Sequence, residues 1–476
     1  MEKSAMQYDP GWRRTMYDHA PFALKTLMAT AYGVIQRRER FNPSMRALAR
    51  QIAELSVSPT DVIERYQLQE LRRFLIEAGR EVPYYRSLFQ VLHFNPSALE
   101  RIEQLAALPI LTKEQVRQNL TELLPGNLAA QHWMWRHTSG TTGKALRFPE
   151  SAECAQREFA FRIEHYRWAG VDLFLRPRVA YAAGHPVTSA RQKNPPFWIG
   201  DYGNRYLFLS SYHFAEANMT AYLKRLQSFS PQVIAGYPSS LYLLAQAVLR
   251  LGCDKLRPRA VFASSETLFD AQRSVIETAF GCKAYSFYGN TECCGMTMEC
   301  EYGLHHGRLD HSLMEVVDEN GAASNHGRLI CTGFGNSGFP LIRYDTGDMV
   351  TLAARKECEC GRHGLLFERV EGRREEYICT PDGRKVGRLD HLFKDAVNVV
   401  EAQLVQHDCG SLIVRVVRRP EYSAADENAI ANEARLRLGS EIRLLFEYVE
   451  ALQRTPNGKL RFVVSTVPQT ALYQPI

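Results

Sequence analysis

The sequence predicts an α/β protein: a large N-terminal region with a mixed α/β core, followed by a smaller α+β C-terminal domain. Three observations carry that expectation. The stretches "PQVIAGYPSSLYLLAQAVLRLG" and "RAVFASSETLFDAQRSVIETAFG" each read as a short apolar strand, a turn and an amphipathic helix, the alternation typical of α/β cores. After residue 370 the pattern changes to two β-branched strands, a helix and a further strand. At 476 residues, finally, the chain is long for one hydrophobic core, so two or three domains are expected.

Taken in order, residues 1–120 read as mainly helical. "DVIERYQLQELRRFLIEAGREV" repeats apolar positions at three- and four-residue intervals. The aromatic patch "VPYYRSLF" fits core packing. Residues 121–372 form the α/β core, in which "RVAYAAGHP" ends a strand in a Gly-His-Pro turn and "CKAYSFYGNTE" runs from a strand into a polar turn. Ligands in such sheets collect where strands end. Residues 377–476 form the small domain, with a β-turn at "TPDG", strands at "NVVEAQLVQ", "SLIVRVVR" and "IRLLFEYVE", and a helix at "DENAIANEARLRLG". The polar run Arg373–Glu376 marks the boundary.

Charge and composition exclude some function classes. Lys and Arg number 58 against 52 Asp and Glu, a formal charge of +6 that is too small over this length to imply nucleic acid. The N-terminal "MEKSAMQYDPGWRR" leads into no apolar signal-type core, and the most apolar stretch, "VIAGYPSSLYLLAQAVL", is broken by Gly, Pro, Ser and Gln. No membrane insertion and a cytoplasmic location are therefore expected. The 11 cysteines are too few for a disulfide scaffold, and six of them crowd between Cys293 and Cys360.

The segment "HTSGTTGKALRFP" supplies backbone N–H groups and hydroxyls, the parts of an anion-binding nest. Gly140 and Gly143 allow close approach, and Ser139, Thr141 and Thr142 could contact phosphate oxygens. It is not a Walker A loop, because two residues separate Gly140 from Gly143-Lys144 and Ala145 stands where Ser or Thr is required. On composition alone a surface turn fits as well.

Downstream motifs shift that balance. "FYGNTE" (Phe287–Glu292), "RYDTGD" (Arg343–Asp348), "GRREE" (Gly372–Glu376) and "RTPNGKLRFV" (Arg454–Val463) follow the loop in order. Together with "TSGTTGK" they resemble the acyl-adenylate-forming ligase superfamily, especially its phenylacetate-CoA ligase-like branch, which includes proteins associated with capsular polysaccharide clusters. The resemblance spans most of residues 130–465 and is weaker over the first 120. It implies a large multi-sheet adenylate-forming N-terminal domain and a mobile C-terminal domain that carries a catalytic-lysine loop.

The same resemblance assigns roles. Ser139, Gly140, Thr141, Thr142 and Gly143 would cradle the ATP phosphates; Tyr288, Gly289 and Thr291 would form the adenine side; Glu292 would help hold Mg²⁺. Asp348 would accept the ribose hydroxyls, Arg373 would reinforce ribose or phosphate contacts, and Lys459 would stand beside the carboxylate and α-phosphate. By residue type alone, Tyr288 fits core packing, Asp348 a turn cap and Lys459 a solvent-facing turn. Glu376 takes the hinge position where the family commonly has aspartate, and its extra methylene could alter domain rotation.

Three further segments approach the acyl substrate or nucleotide in the family. Tyr237 and Pro238 of "AGYPSS" would shape the acyl pocket, Ser265 and Glu266 of "ASSET" would lie near the adenylate, and His213 of "SSYHFAE" would contact a carboxylate or gate the second step. A structural role for His213 fits equally. Cys300, His306, Cys358 and Cys360 could provide a tetrahedral S₃N set for structural Zn²⁺, with His305 the competing histidine and free buried cysteines or other redox chemistry the alternatives. Neither Cys293-Cys294 nor Ser264-Ser265 carries a hydrolase signature.

The expected activity is ATP-dependent formation of an acyl-AMP from a carboxylic acid, an aryl or compact acid by resemblance, followed by thioester formation with CoA. Delivery to an amine, a hydroxyl or the thiol of a separate carrier protein is one alternative. A noncatalytic nucleotide-binding scaffold is another. The oligomeric state is left open.

Overall fold

A computed structural model of the chain describes residues 17, 20–126, 133–137, 147–183, 185, 187–188, 192–214, 216–373, 378–381, 385–386, 389–393, 396, 398–455 and 460–467. The N-terminal part is helical: α1 (Phe22–Arg40), α2 (Pro43–Ser56), α3 (Thr60–Glu81), α4 (Pro83–Val91) and α5 (Lys113–Gln118). Asn42 caps α2 by accepting the Met45 N–H, and Thr112 and Gln115 form a reciprocal capping box on α5. These helices do not stand apart from the core. Leu71, Phe74 and Tyr85 pack against Phe339, Tyr344 and Phe367, and the Leu111 N–H donates to the Arg343 carbonyl at 2.9 Å.

A two-stranded antiparallel ribbon follows, β1 (Trp133–His137) with β2 (Arg147–Ser151). Ser151 caps α6 (Ala152–Trp168). Then come β3 (Val179–Ala183), β4 (Trp198–Asp201), β5 (Tyr206–Ser210), α7 (Met219–Phe229), β6 (Val233–Gly236), α8 (Pro238–Leu251), β7 (Ala260–Ser264), α9 (Asp270–Phe280) and β8 (Ala284–Gly289). Helix α8 opens on Pro238, whose missing N–H costs nothing at a helix start, and closes at Gly252 with φ +64. Strand β6 is buried at all four positions, as a central parallel strand must be.

The chain continues as β9 (Met296–Glu299), β10 (His305–Gly307), β11 (Ser312–Val317), β12 (His326–Gly333), β13 (Tyr344–Leu352) and β14 (Leu365–Arg373). All but the ribbon join one 12-stranded sheet in the order β11-β12-β13-β14-β10-β9-β8-β7-β6-β3-β5-β4. The run β8-β7-β6-β3-β5 is parallel, and everything beyond β8 is antiparallel. The change of sense at β8–β9 puts the polar turn 289–295 at the carboxyl ends of the parallel strands. Helices α7, α8 and α9 cover one face of the parallel half, while α2 and α6 pack on the other.

The C-terminal part has a short ribbon, β15 (Ile378–Cys379) with β16 (Lys385–Val386), then β17 (Val399–Gln406), β18 (Ser411–Arg418), α10 (Ala424–Leu438), β19 (Arg443–Tyr448) and β20 (Val463–Ser465). Its sheet runs β19-β18-β17-β20 with a core of its own around Leu404, Val414 and Ile430. A large mixed sheet and a separate small α+β unit form the α/β architecture expected from the sequence. Among the described residues no helix is long and apolar enough to cross a membrane.

Candidate adenylation site and cysteine–histidine cluster

Strand β8 ends in Tyr288 and Gly289, and the turn after it is fixed by Asn290. The Asn290 Oδ1 accepts the Cys294 N–H at 2.9 Å, and its Nδ2 reaches the Cys294 Sγ at 3.1 Å. This turn buries Glu292, which is 4% exposed, and its Oε1 accepts the Tyr344 hydroxyl at 3.1 Å. Thr291 and Gly289 remain exposed. The opposite wall comes from β13, where Gly347, at φ +75, turns the chain and Thr346 Oγ1 accepts the Asp348 N–H at 3.2 Å.

Asp348 is buried, and its Oδ2 accepts the Tyr288 hydroxyl at 2.7 Å. Burial and the adjacent Asp348 charge hold the Tyr288 phenol well above its ordinary range. The two sequence motifs are thus joined side chain to side chain. Arg373 closes β14 opposite Asp348 in register, which places its backbone beside the motif.

A second group forms at the ends of β6 and β7. Tyr237 leaves β6, donates its N–H to the Ala182 carbonyl at 3.0 Å, and is followed by buried Pro238. Ser265 turns the chain after β7 at φ +73. Glu266 then accepts the Ser239 N–H at 3.1 Å through Oε2, the amide of the second residue of α8, where unpaired N–H groups and the helix dipole favour an anion. Its other oxygen accepts the Leu460 N–H at 2.8 Å. Desolvation still raises the Glu266 carboxyl above its usual range, against the lowering pull of these bonds and of Arg454.

Arg454 ties the same junction together, donating to Ser239 Oγ at 3.0 Å and pairing with Glu401 of β17. Phe462 meets Phe269 at 5.3 Å between ring centroids. Sequence reasoning did not single out Ser239, Arg454 or Glu401. The available signal was Glu401, a lone acid inside the apolar strand "NVVEAQLVQ". Ser139, Gly140, Thr141, Thr142, Gly143, Glu376 and Lys459 lie outside the described residues, as does the Arg373 side chain. Leu460, next to Lys459, stands at the carboxyl end of β7, one strand from Tyr288.

His213 follows β5, at the carboxyl end of that parallel strand. It is 7% exposed, its ring stacks on Phe197 at 4.5 Å, and its Nδ1 is 2.8 Å from Ser210 Oγ. Cys293 and Cys294 are buried too; Cys293 sits with Glu150 and Cys154, and the Cys154 contact, then burial, pushes its thiol up.

Cys300 just after β9, His306 on β10, and Cys358 and Cys360 between β13 and β14 bring their ligand atoms within 4.8 Å of one another. The Cys300 and Cys358 sulfurs are 3.6 Å apart, and Cys360 Sγ is 3.4 Å from His306 Nε2. Tetrahedral Zn²⁺ with bonds of about 2.3 Å to sulfur has ligand edges of about 3.8 Å, so the donor set and its spacing fit. Burial drives the His306 pKa down to about 4, which keeps the imidazole in its neutral, ligating form. His305 faces away from the cluster, with Nδ1 2.8 Å from Thr297 Oγ1.

Comparison with known proteins agrees with this architecture. Residues 378–466 match the CapK C-terminal domain. The chain is 25% identical over 467 residues to protein CapK of Staphylococcus aureus, covering 95% of this chain and 99% of that one. It is 25% identical over 342 residues to a phenylacetate-coenzyme A ligase of Thermus thermophilus, covering 68% of this chain and 73% of the ligase. Among solved structures, a 2-hydroxyisobutyryl-CoA ligase in its postadenylation state superposes with a TM-score of 0.66 at 18% identity, over 88% of this chain and 92% of that one. With the motif order and the geometry of both domains, these similarities make the chain similar to the phenylacetate-CoA ligases and to CapK, in line with the resemblance read from its motifs.

Proposed function

We propose that this chain is an AMP-forming ligase that activates a carboxylic acid as acyl-AMP and then passes the acyl group to CoA. The contact between Glu266 and Leu460 carries this reading, because it docks the segment after Lys459 at the carboxyl ends of the parallel strands. Tyr288, Asp348 and Glu292 collect at those same ends.

Both reactants are anionic at the reacting centre, so the site must align them and relieve their repulsion. Tyr288 and Asp348 would hold the nucleoside, the ring against adenine and the carboxylate on the ribose hydroxyls. Residues 139–143 would take the phosphates. Glu292 is a single buried carboxylate, which suits Mg²⁺ shared with phosphate oxygens; the ion, when bound, screens those charges and orients pyrophosphate as it leaves. Lys459 would place its ammonium beside the acid carboxylate as it attacks the α-phosphorus. The C-terminal domain would then turn about Glu376 to admit CoA. The cysteine–histidine cluster would hold a structural Zn²⁺ that pins the β9–β10 turn to the β13–β14 loop, away from the reacting atoms.

Carboxylate-dependent exchange between ATP and labelled pyrophosphate, over a broad acid panel, tests the first step. Mass analysis of products with CoA, amines and carrier proteins then identifies the acceptor. Folded protein that exchanges with no acid would leave only a nucleotide-binding scaffold. Substituting Lys459→Ala should cut exchange about 100-fold, the scale seen when one donor to developing charge is removed.

A further inference from the structure

On the face of the sheet packed by α2 and α6, side chains in the middle of the parallel strands keep accessible surface. Tyr181 of β3 stacks on Phe208 of β5 at 5.3 Å and meets Tyr206 edge-on at 5.3 Å. His185, two residues beyond β3, lies edge-on to Phe208 at 4.9 Å. All four are half-buried, although their strands are flanked on both sides in the sheet. Wetted rings in that position line a recess rather than a closed core.

Two guanidinium groups border it. Arg162 of α6 is exposed and lies 5.8 Å from the Phe287 ring, the residue before Tyr288. Arg40, at the end of α1, lies 5.2 Å from the Phe159 ring. Phe159, Phe287, Tyr181 and Tyr206 all pack against one core cluster, so both guanidinium groups stand on this same face. Among the described residues neither arginine has a carboxylate at ion-pair distance. Two nearby acids are engaged elsewhere: Glu158, one turn before Arg162, bonds His311 at 2.5 Å, and Asp201 accepts Asn204 Nδ2 at 2.8 Å; Glu39, exposed beside Arg40, makes no ion pair with either arginine among the described residues.

Two like charges on one aromatic face, with no carboxylate at ion-pair distance among the described residues, suit an oxyanion. Phe287 separates this site from the nucleotide side of β8 by a single residue. We infer that the recess takes the far end of the acid substrate, and that this end carries a second anionic group held by Arg162 and Arg40. The substrate class is then a compact acid with an oxyanion remote from the carboxylate that is activated, rather than a plain aryl acid. This rests on the adenylating activity proposed above.

The test is pyrophosphate exchange with matched acids, glutarate against valerate and terephthalate against 4-methylbenzoate. Wild type should favour the diacid of each pair, and Arg162→Gln should lower the diacid-to-monoacid ratio of kcat/KM by about 10- to 100-fold, mainly through KM. Arg162→Lys should restore part of the ratio, and Arg38→Gln, on exposed helix surface, should leave it unchanged. If Arg162→Gln fails to fold, Arg40→Gln carries the same comparison. Preference for the monoacids, or a ratio that neither arginine variant moves, overturns the inference. Should no acid support exchange, calorimetry with glutarate and terephthalate in the presence of AMP separates the two claims. Diacid binding lost in Arg162→Gln keeps the recess while the ligase reading falls; no diacid binding to wild type overturns the recess.

Discussion

The carboxylate of Glu266 accepts the backbone N–H of Leu460 at 2.8 Å, across 194 positions of sequence. Its second oxygen holds the Ser239 N–H at 3.1 Å, so one side chain links the start of α8 to the residue after Lys459. Arg454 braces the same junction from the C-terminal side through Ser239 and Glu401. These bonds would break if the C-terminal domain turned away as proposed above. Their strength therefore biases the population of the arrangement that would adenylate.

Replacing Glu266 should accordingly separate the two half-reactions. Glu266→Gln swaps one charged acceptor for an NH₂ group that cannot accept, a loss of about 1.5–3 kcal/mol. Pyrophosphate exchange should fall about 10- to 100-fold. Thioester formation from supplied acyl-AMP should hold or rise, since it would not need the Glu266–Leu460 contact. Equal loss in both half-reactions would show that Glu266 acts on substrate binding instead.

Tyr288 and Asp348 hydrogen-bond each other at 2.7 Å, which predicts unequal effects of their substitution. Tyr288→Phe keeps the ring for adenine and releases one oxygen of Asp348, so KM for ATP should move less than about threefold. Asp348→Ala removes both ribose acceptors and should raise KM for ATP about 10- to 100-fold. Steady-state kinetics with ATP as the varied substrate gives both values. Parallel behaviour of the two variants would place the ribose elsewhere.

Much of this site was legible in the sequence where function needs contiguous residues. "FYGNTE" and "RYDTGD" each fix a turn at a strand end, so their local sequence carries their geometry. The strand–turn–helix repeats announced β6-α8 and β7-α9 because buried parallel strands must be apolar throughout. Contacts set by tertiary closure were not legible. Nothing local couples Glu401 to Arg454, or Glu266 to Leu460, until two domains meet. Arg40 and Arg162 likewise read as ordinary basic residues of helix faces, because a recess is a property of packing and not of spacing. The cysteine–histidine set lay between: its residue types were evident, but the choice of His306 over His305 depends on which face of β10 each side chain takes.

That cluster predicts about one Zn²⁺ per chain in protein purified without added metal. Cys358→Ser and His306→Ala should each lose the metal and lower the melting temperature, because β10 and the β13–β14 loop would lose their crosslink. Elemental analysis with thermal denaturation reads both. Stable protein with all three cluster cysteines reduced and no metal would refute the site. Exchange activity per folded molecule should change little, since the cluster touches no residue proposed to hold ATP.

His165 predicts the acid side of the stability profile. Its ring is enclosed by Trp168, Phe262, Tyr285 and Phe287, and its Nε2 lies 3.0 Å from the Glu299 carbonyl. Desolvation, with the charges of Arg362 and Arg162 adding to it, lowers its pKa from 6.5 to about 4. The unfolded chain therefore binds this proton more tightly than the folded one. The stabilising contribution is complete above pH 6.5 and is lost as the pH falls towards 4. From this group alone, unfolding free energy should be about 2 kcal/mol lower at pH 5 than at pH 7. His165→Gln keeps a donor for the Glu299 carbonyl but cannot titrate, so urea denaturation of that variant should show a correspondingly flatter slope across the window. An unchanged slope would mean that other groups set the acid limit.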